Sequence, residues 1–293
     1  MLLTDYTYYQ GDSAITAMYQ GDVKVYPMEP SMPCDEIWYT SIDGVVVQPY
    51  RTGSAYYGAS IVSNTYNDGQ GIILFNKCVT LIGNHAFRDC TSLSLIEIPD
   101  SVTSIGDYAF SGCTSLSSIT IPDSVTSIGV SAFGHCTSLS SLTIPDSVTS
   151  IGGAAFGWCY SLSSIVIPDS VTSIGDSAFF SCDSLSSVII GSGVTSIGSD
   201  AFFSCDSLSS IIIPGSVTSI EKNAFEYCRN LSSVTIGSGV TSIGNHAFRD
   251  CTSLSSITYN STMAQWATIA KGNYWHDSVP ATVVHCSDGD VPI

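Results

Sequence analysis

Apolar and polar positions between residues 79 and 258 recur in one fixed pattern, which repeats every 23 residues. In one copy, Leu116, Ile119 and Ile121 have the spacing of a short strand whose apolar side faces inward. Pro122 follows at once and ends the strand, because proline has no amide hydrogen to give to a ladder. Each repeat is therefore predicted to contain one short inward-facing strand.

The other half of the repeat predicts a second extended piece and a helical turn. Val102 and Ile105 form the extended piece on the opposite side, and Gly106 ends it. Asp107 then stands where a helix N-cap would, ahead of a single helical turn that carries Phe110 inward. The equivalent position holds good caps in four copies and poorer ones in three, namely Asn84, Asp176, Ser199 and Asn245 against Val130, Gly153 and Lys222.

Three residue types mark the repeat in all eight copies, with no insertion between them. The phenylalanines, each preceded by alanine, are Phe87, Phe110, Phe133, Phe156, Phe179, Phe202, Phe225 and Phe248. The cysteines are Cys90, Cys113, Cys136, Cys159, Cys182, Cys205, Cys228 and Cys251. The leucines are Leu93, Leu116, Leu139, Leu162, Leu185, Leu208, Leu231 and Leu254. Such regularity predicts a solenoid, in which each coil buries its apolar side against its neighbours.

The flanks of the array divide the chain into four parts. Residues 1–33 are predicted to be an N-terminal arm with a proline-rich linker, residues 34–78 an N-terminal β cap, residues 79–258 the eight repeats, and residues 259–293 a C-terminal cap. A solenoid needs both caps, because an open terminal coil exposes core side chains and a strand edge.

Local signals predict elements inside both caps. In the N-terminal cap, Asp43-Gly44 predicts a hairpin between residues 37–40 and 45–47, and residues 72–75 predict a further strand. In the C-terminal cap, the amphipathic stretch 263–269 predicts a short helix that closes the far end of the solenoid.

The repeats resemble the BspA-like leucine-rich repeat family, whose pattern I-P-x-x-V-x-x-I-G-x-x-A-F-x-x-C-x-x-L-x-x-I is matched from Val79 to about Ile257. Gly191 and Gly237 replace the proline in two copies. The resemblance implies an α/β-type repeat solenoid, a right-handed superhelix with a parallel β-sheet on its concave face, and short extended segments and single helical turns on the other sides. It also implies a binding or adhesion protein at the cell surface.

Residues 1–33 support a second hypothesis. Their segment 1–26 is similar to short N-terminal pieces of bacteriophage structural proteins, and Pro27, Pro30 and Pro33 set it apart. The alternative function is therefore a virion component, with the repeats as a spike or decoration and residues 1–33 in contact with other virion proteins. The expected location is the cell surface or the extracellular space, or else a virion. The sequence shows neither a signal peptide nor a transmembrane segment.

The charge of the chain excludes several classes of partner. Eight Lys and Arg stand against 25 Asp and Glu, which gives a formal net charge of −17. Between Arg88 and Lys222 there is no Lys or Arg at all. Because such a surface repels polyanions, we expect no nucleic-acid binding. We also expect no insertion into a membrane, since no apolar run approaches the length that spans a bilayer.

The cysteine ladder predicts structural free thiols and no cofactor. Its side chains point in parallel, whereas a zinc site needs converging ligands, commonly in a C-x-x-C spacing that the chain lacks. A metal hypothesis concerns a column of carboxylates after the strands, where a bridging Ca²⁺ would relieve the repulsion between neighbouring carboxylates. The simpler interpretation is that these aspartates suit the turn and stay solvated. They are Asp100, Asp123, Asp146 and Asp169.

No catalytic motif is present, so the chain is predicted not to be an enzyme. His85 with Asp89 and His246 with Asp250 resemble acid–base pairs, but they occur in identical strings at opposite ends of the array, where they cannot cooperate. His135 has no recognisable partner spacing. Nucleophile elbows, zinc-protease motifs, phosphate loops and dinucleotide fingerprints are all missing from the sequence.

Two sets of side chains are candidate binding residues for a protein or glycan ligand. On the predicted helical side, additional aromatic residues in copies four to seven form one patch in successive coils, or alternatively fill gaps between turns. They are Trp158, Tyr160, Phe180, Phe203 and Tyr227. The outward face of the strands has no aromatic or basic anchor and is expected to be poor in binding hot spots. Its exception is the apolar strip Val166, Ile189 and Ile212.

Overall fold

The computed structural model describes residues 5–10, 13–20, 23–25 and 32–293, and the chain divides into two units, Met1–Pro33 and Cys34–Ile293. In the first unit, three antiparallel strands form a sheet of their own, with Gln10 opposite Ser13 and Gln20 opposite Val23. These strands are β1 (Asp5–Gln10), β2 (Ser13–Gln20) and β3 (Val23–Val25). The prolines of the predicted linker at positions 27 and 30 lie outside the described residues.

The second unit begins with a small antiparallel cap. Its strands are β4 (Glu36–Ser41), β5 (Ile61–Asn67) and β6 (Gln70–Phe75), with a single 3-10 turn at Ser54–Tyr56. Strands β5 and β6 form a hairpin around Asp68-Gly69, where both residues have the positive φ that such a tight turn requires. A disulfide between Cys34 and Cys78 ties the two ends of the cap together.

The hairpin predicted at Asp43-Gly44 is wrong. Strand β4 has β6 on one edge and the first strand of the repeats on the other, so no edge is left for residues 45–47. Side chains hold this segment instead. The Val47 amide donates to the Tyr39 hydroxyl at 3.2 Å, and the Asn64 amide group donates to the Val47 carbonyl at 2.8 Å.

The repeats form the solenoid that the period predicts, with parallel strands on two sides. The strands of the concave face are β7 (Leu93–Glu97), β9 (Ser118–Thr120), β12 (Ser164–Ile167), β14 (Ser187–Ile190), β16 (Ser210–Ile213), β18 (Ser233–Ile236) and β20 (Ser256–Tyr259). Short strands line the second side, namely β8 (Ser104–Ile105), β10 (Ser127–Ile128), β11 (Ser150–Ile151), β13 (Ser173–Ile174), β15 (Ser196–Ile197), β17 (Ser219–Ile220), β19 (Ser242–Ile243) and β21 (Ala270–Lys271).

The two sides differ in continuity. On the second side, eight strands from β8 to β21 form one unbroken parallel sheet. On the concave side, the sheet is interrupted between β9 and β12, where residues 141–144 form no strand, and again between β14 and β16. The concave face therefore consists of three separate pieces of sheet.

The third side is a stack of tight turns, and the predicted helical turn is wrong. Residues two positions before and two after each core phenylalanine have left-handed backbone, as Tyr108 and Gly112 show around Phe110. Every second backbone amide of the turn therefore points along the solenoid axis. In that coil they donate to the carbonyls of Val130, Ala132 and Gly134 in the next coil, at 2.7–2.8 Å. We call this the turn side.

The predicted N-caps also act between coils. The Asp107 carboxylate accepts a hydrogen bond from the Val130 amide of the next coil at 2.8 Å, and Asp176 accepts one from Ser199 in the same way. Since no helix follows, these side chains bridge successive coils instead of capping a helix end.

The core consists of columns of identical side chains. The phenylalanine rings are fully buried, and from Phe87 to Phe248 they stack face to face with centroids 5.2–5.4 Å apart. Each thiol from Cys113 to Cys251 donates to the carbonyl of the phenylalanine 26 residues earlier, at 3.1–3.2 Å. The repeat pattern thus produces parallel stacks whose polar sulfur hydrogens are satisfied.

The C-terminal end is closed by the predicted helix and a final hairpin. Helix α1 (Met263–Thr268) begins at Thr262, whose hydroxyl accepts from the Gln265 amide, and it buries Trp266. Strand β22 (Val283–Cys286) extends the concave sheet beside β20, and β23 (Gly289–Pro292) pairs with β22 antiparallel. None of the helices in the described residues is long and apolar enough to cross a membrane.

Candidate functional site

Three aliphatic side chains stand out on the concave face. Val166, Ile189 and Ile212 are 55%, 59% and 67% exposed, although branched aliphatic side chains are usually buried. Val166 and Ile189 lie directly opposite each other on β12 and β14, and Ile212 has the equivalent position on β16. We call these three residues the concave strip. Each alternates with buried residues, so its exposure follows from the pleat of the strands.

A shallow groove of about 570 Å³ lies beside the strip, at the interruption between β9 and β12. Hydroxyl groups dominate its polar lining, Asp123 is its one charged lining residue, and Val166 belongs to both the groove and the strip. The hydroxyl-bearing residues are Ser118, Thr120, Ser141, Thr143 and Ser164. We call this the concave groove. No Lys or Arg side chain lines the groove, and it is open to solvent. It therefore offers hydrogen bonds and apolar contact but no enclosed reaction site.

On the turn side, four of the five predicted aromatic residues form one continuous run. Trp158 and Phe180 have centroids 5.1 Å apart, Phe180 stacks on Phe203 at 4.8 Å, and Phe203 meets the edge-on ring of Tyr227 at 5.2 Å. All four rings are half-buried. Tyr160 is 42% exposed and forms no ring contact with them.

The run includes a residue that sequence reasoning missed. The His135 ring stacks on Trp158 with centroids 4.5 Å apart and nearly parallel planes. The signal was present, because His135 precedes Trp158 by one 23-residue period. His135 has no acid–base partner spacing in the sequence, and its structural role is that of a flat ring in the stack. We call these five rings, from His135 to Tyr227, the aromatic run.

Three residues of the aromatic run occupy unfavourable backbone positions. His135, Trp158 and Tyr227 have φ of 59°, 60° and 63°, the left-handed region that favours glycine. Gly112 occupies the equivalent position in an earlier coil. A bulky residue there costs roughly 1 kcal/mol in backbone conformation. These three rings therefore stand at positions where the backbone conformation has a local cost.

A buried ion pair lies beneath the end of the aromatic run. Glu226 is the only charged residue buried within the described part of the chain, and the Arg249 guanidinium contacts its carboxylate. Burial raises the pKa of the Glu226 carboxyl, and the positive charge of Arg249 opposes this shift. Arg249 also donates to the Tyr227 hydroxyl at 3.2 Å. This arrangement ties the Tyr227 ring to the Glu226–Arg249 ion pair.

The candidate metal and thiol residues show no reactive arrangement. Asp100, Asp123, Asp146 and Asp169 are all exposed, and within residues 32–293 no three His, Cys, Asp or Glu side chains converge as a metal site would require. Calcium binding stays a prediction, tested by whether millimolar Ca²⁺ raises the melting temperature. In the cysteine ladder, burial raises the pKa of Cys159 to about 12, which keeps the thiol protonated and unreactive.

Residues 66–159 and 149–270 match the family model for BspA type leucine-rich repeat regions, in six copies. A leucine-rich repeat protein from Bacteroides ovatus is 25% identical with a TM-score of 0.60, and the match covers 92% of this chain and 66% of that one. This chain therefore spans just under two thirds of that protein. The Treponema pallidum leucine-rich repeat protein is 34% identical with a TM-score of 0.54, covering 59% of this chain and 82% of that one.

A leucine-rich cell surface protein from Faecalibacterium prausnitzii is 33% identical over 66% of this chain and 67% of its own, with a TM-score of 0.45. A comparison with curated proteins gives no match. The family model and the first two structures support the leucine-rich repeat solenoid fold, and they identify no ligand.

Proposed function

The chain belongs to the BspA-type leucine-rich repeat family, and from this premise we propose that it is a non-enzymatic binding scaffold that recognises a protein or glycan through an exposed face of the solenoid. The concave strip carries the proposal. Its three aliphatic side chains are contiguous and more than half exposed, and contiguous apolar surface on a soluble protein is typical of an interaction site. The aromatic run is the second candidate surface.

The open form of the concave groove supports a non-enzymatic role. The concave groove is shallow, and the sequence contains no catalytic motif that would supply a nucleophile or general base. The ladder thiols are buried and therefore inaccessible to a substrate, so they offer no nucleophile either. What the described surface offers is contact area, hydroxyl groups and carboxylates, which suit recognition.

We place this function outside the cell. The Cys34–Cys78 disulfide supports this, because such bonds persist in oxidising compartments and are rare in the cytosol. The relatives described above are bacterial and give no link to a bacteriophage, so the virion hypothesis remains a prediction from residues 1–33.

The test is a binding screen of the full chain against glycans and surface proteins, followed by face-specific variants. In the concave variant, Val166→Thr, Ile189→Thr and Ile212→Thr are combined, since threonine stands at the same position in Thr120 and Thr143. In the turn-side variant, Phe180→Ser and Phe203→Ser are combined, after Ser111. We expect a partner whose binding the concave variant reduces at least about tenfold, with unchanged melting.

Loss of binding in the turn-side variant alone would move the site to the aromatic run and leave the scaffold function intact. Binding that neither variant alters would contradict recognition through either face. Turnover of any screened compound would contradict the non-enzymatic proposal.

A further inference from the structure

We propose that the concave strip and the concave groove bind an extended, basic polypeptide segment, in which lysine or arginine residues alternate with aliphatic ones. The inference rests on the proposed function and names the class of partner for the same face. It follows from how charge is distributed around the exposed aliphatic side chains.

All of the concave strip lies in the cation-free part of the molecule. Residues 89–221 contain twelve acidic residues and no Lys or Arg. An acidic partner would meet repulsion along this whole stretch, whereas a basic one would be attracted over a distance comparable to the Debye length.

The carboxylates are placed where such a segment would need them. Asp100, Asp123, Asp146 and Asp169 stand at the same position in four successive coils, and all four are exposed along one rim of the concave face. Asp169 follows the strand of Val166, whereas the equivalent positions beside Ile189 and Ile212 hold Ser192 and Gly215. Asp123 lines the concave groove, which Val166 joins to the strip. A partner that crosses the groove onto the strip therefore meets a negatively charged rim over the groove and an apolar floor from Val166 onward. This combination fits a segment that carries both cationic and aliphatic side chains.

The groove favours a polypeptide over a sugar. Its hydroxyl groups both donate and accept, so they satisfy the amides and carbonyls of an extended backbone. The aliphatic side chains of the strip bury well against aliphatic partners. The residues lining the concave groove include no aromatic side chain on which a sugar ring could stack.

The test measures fluorescence anisotropy of three labelled peptides of equal length on the full chain. One alternates Lys and Val, one alternates Lys and Ser, and one alternates Glu and Val. We expect the Lys–Val peptide to bind at least about tenfold tighter than either other peptide, and its affinity to fall as salt is raised. The concave variant should lose the preference for Lys–Val over Lys–Ser, because only the aliphatic contact is removed.

A matched pair of variants separates a local rim from general attraction to an acidic protein. Asp123→Asn with Asp146→Asn removes two of the four rim charges, and Asp107→Asn with Asp176→Asn removes the same charge from the turn side. The second pair keeps the bridges between coils, because asparagine already makes this bridge at Asn84 and Asn245. We expect only the rim pair to weaken Lys–Val binding by severalfold.

Equal weakening by both pairs would overturn the inference, and so would equal affinity for Lys–Val and Lys–Ser. If the screen described above finds a neutral glycan or an acidic protein that the concave variant no longer binds, the scaffold function stands and this partner class is wrong. Self-association that the concave variant abolishes would likewise replace the basic segment with a second copy of the chain.

Discussion

Trp158 combines a large side chain with a backbone position that glycine favours. Replacing it with glycine removes a half-buried ring and also relieves the left-handed strain, and Gly112 shows that the turn accepts glycine. We therefore expect Trp158→Gly to change the free energy of unfolding by no more than about 1 kcal/mol. Chemical denaturation measures this change.

Phe156→Ala is the control for the Trp158 experiment. Phe156 is fully buried in the adjacent core column, so its truncation should cost about 3–5 kcal/mol. If Trp158→Gly destabilises the protein as much as this control does, the aromatic run fills gaps between turns and is not a retained binding surface.

The buried thiols make stability depend on alkaline pH. Burial raises the pKa of Cys90 to about 11 and that of Cys159 to about 12, from 9.0. In the unfolded chain these thiols ionise near their ordinary pKa, while in the fold they stay protonated, so stability is lost as pH rises above about 9. Each such thiol lowers the free energy of unfolding by about 1.4 kcal/mol per pH unit in this window.

Urea denaturation at about pH 7 and about pH 10 checks this dependence. Cys159→Ala should be less stable near neutral pH, because it leaves a cavity and removes the thiol hydrogen bond to the Phe133 carbonyl, but its stability should fall less steeply with pH. Equal stability at the two pH values would contradict the protonated ladder.

At the scale of single elements, the interrupted concave sheet gives a local prediction. Residues 141–144 have no strand partner, whereas Ser187–Ile190 pair residue by residue with Ser164–Ile167. Amides in 141–144 should therefore exchange with solvent faster than those of Ser187–Ile190. Hydrogen exchange followed by mass spectrometry or NMR measures both segments in one sample. Equal protection would show that the sheet is continuous in solution.

The sequence predicts the strands well because the residue type at each inward position is fixed. It does not predict the tight turns, since the left-handed positions hold residues as different as Tyr108, Ser131 and Ala154. Nor does it predict the interruption at residues 141–144, where Leu142 and Ile144 keep the usual pattern. These features depend on how neighbouring coils bond to each other, which no local sequence signal records.

The candidate site was predictable to a similar extent. The period alone aligns Val166, Ile189 and Ile212 in one column, and it also aligns His135 with Trp158. Exposure could not be read in the same way. The aliphatic strip is more exposed than most of the aromatic run, because stacked rings in successive coils cover each other's faces. The concave groove depends on the interrupted sheet and has no sequence signal.

At the scale of the whole molecule, the three sides of the solenoid have different roles. The second sheet and the turn side bond each coil to the next, and the core columns stack without interruption. The concave side has the interruptions, the groove and the exposed aliphatic strip. The framework that supports the coils is thus separate from the face that we propose binds a partner.

The central claim is that the 23-residue coil is the unit of structure and that any whole coil is dispensable to the fold. Deleting residues 124–146 removes one full period, joins Asp123 to Ser147 and leaves the concave strip intact. Deleting residues 124–134 instead shifts the register by about half a coil, so core and surface positions no longer match across the junction. Thermal unfolding followed by circular dichroism compares the two. We predict cooperative melting with an unchanged spectrum per residue for the full-period deletion, and aggregation for the half-period deletion. If the full-period deletion also fails to fold, the account is contradicted.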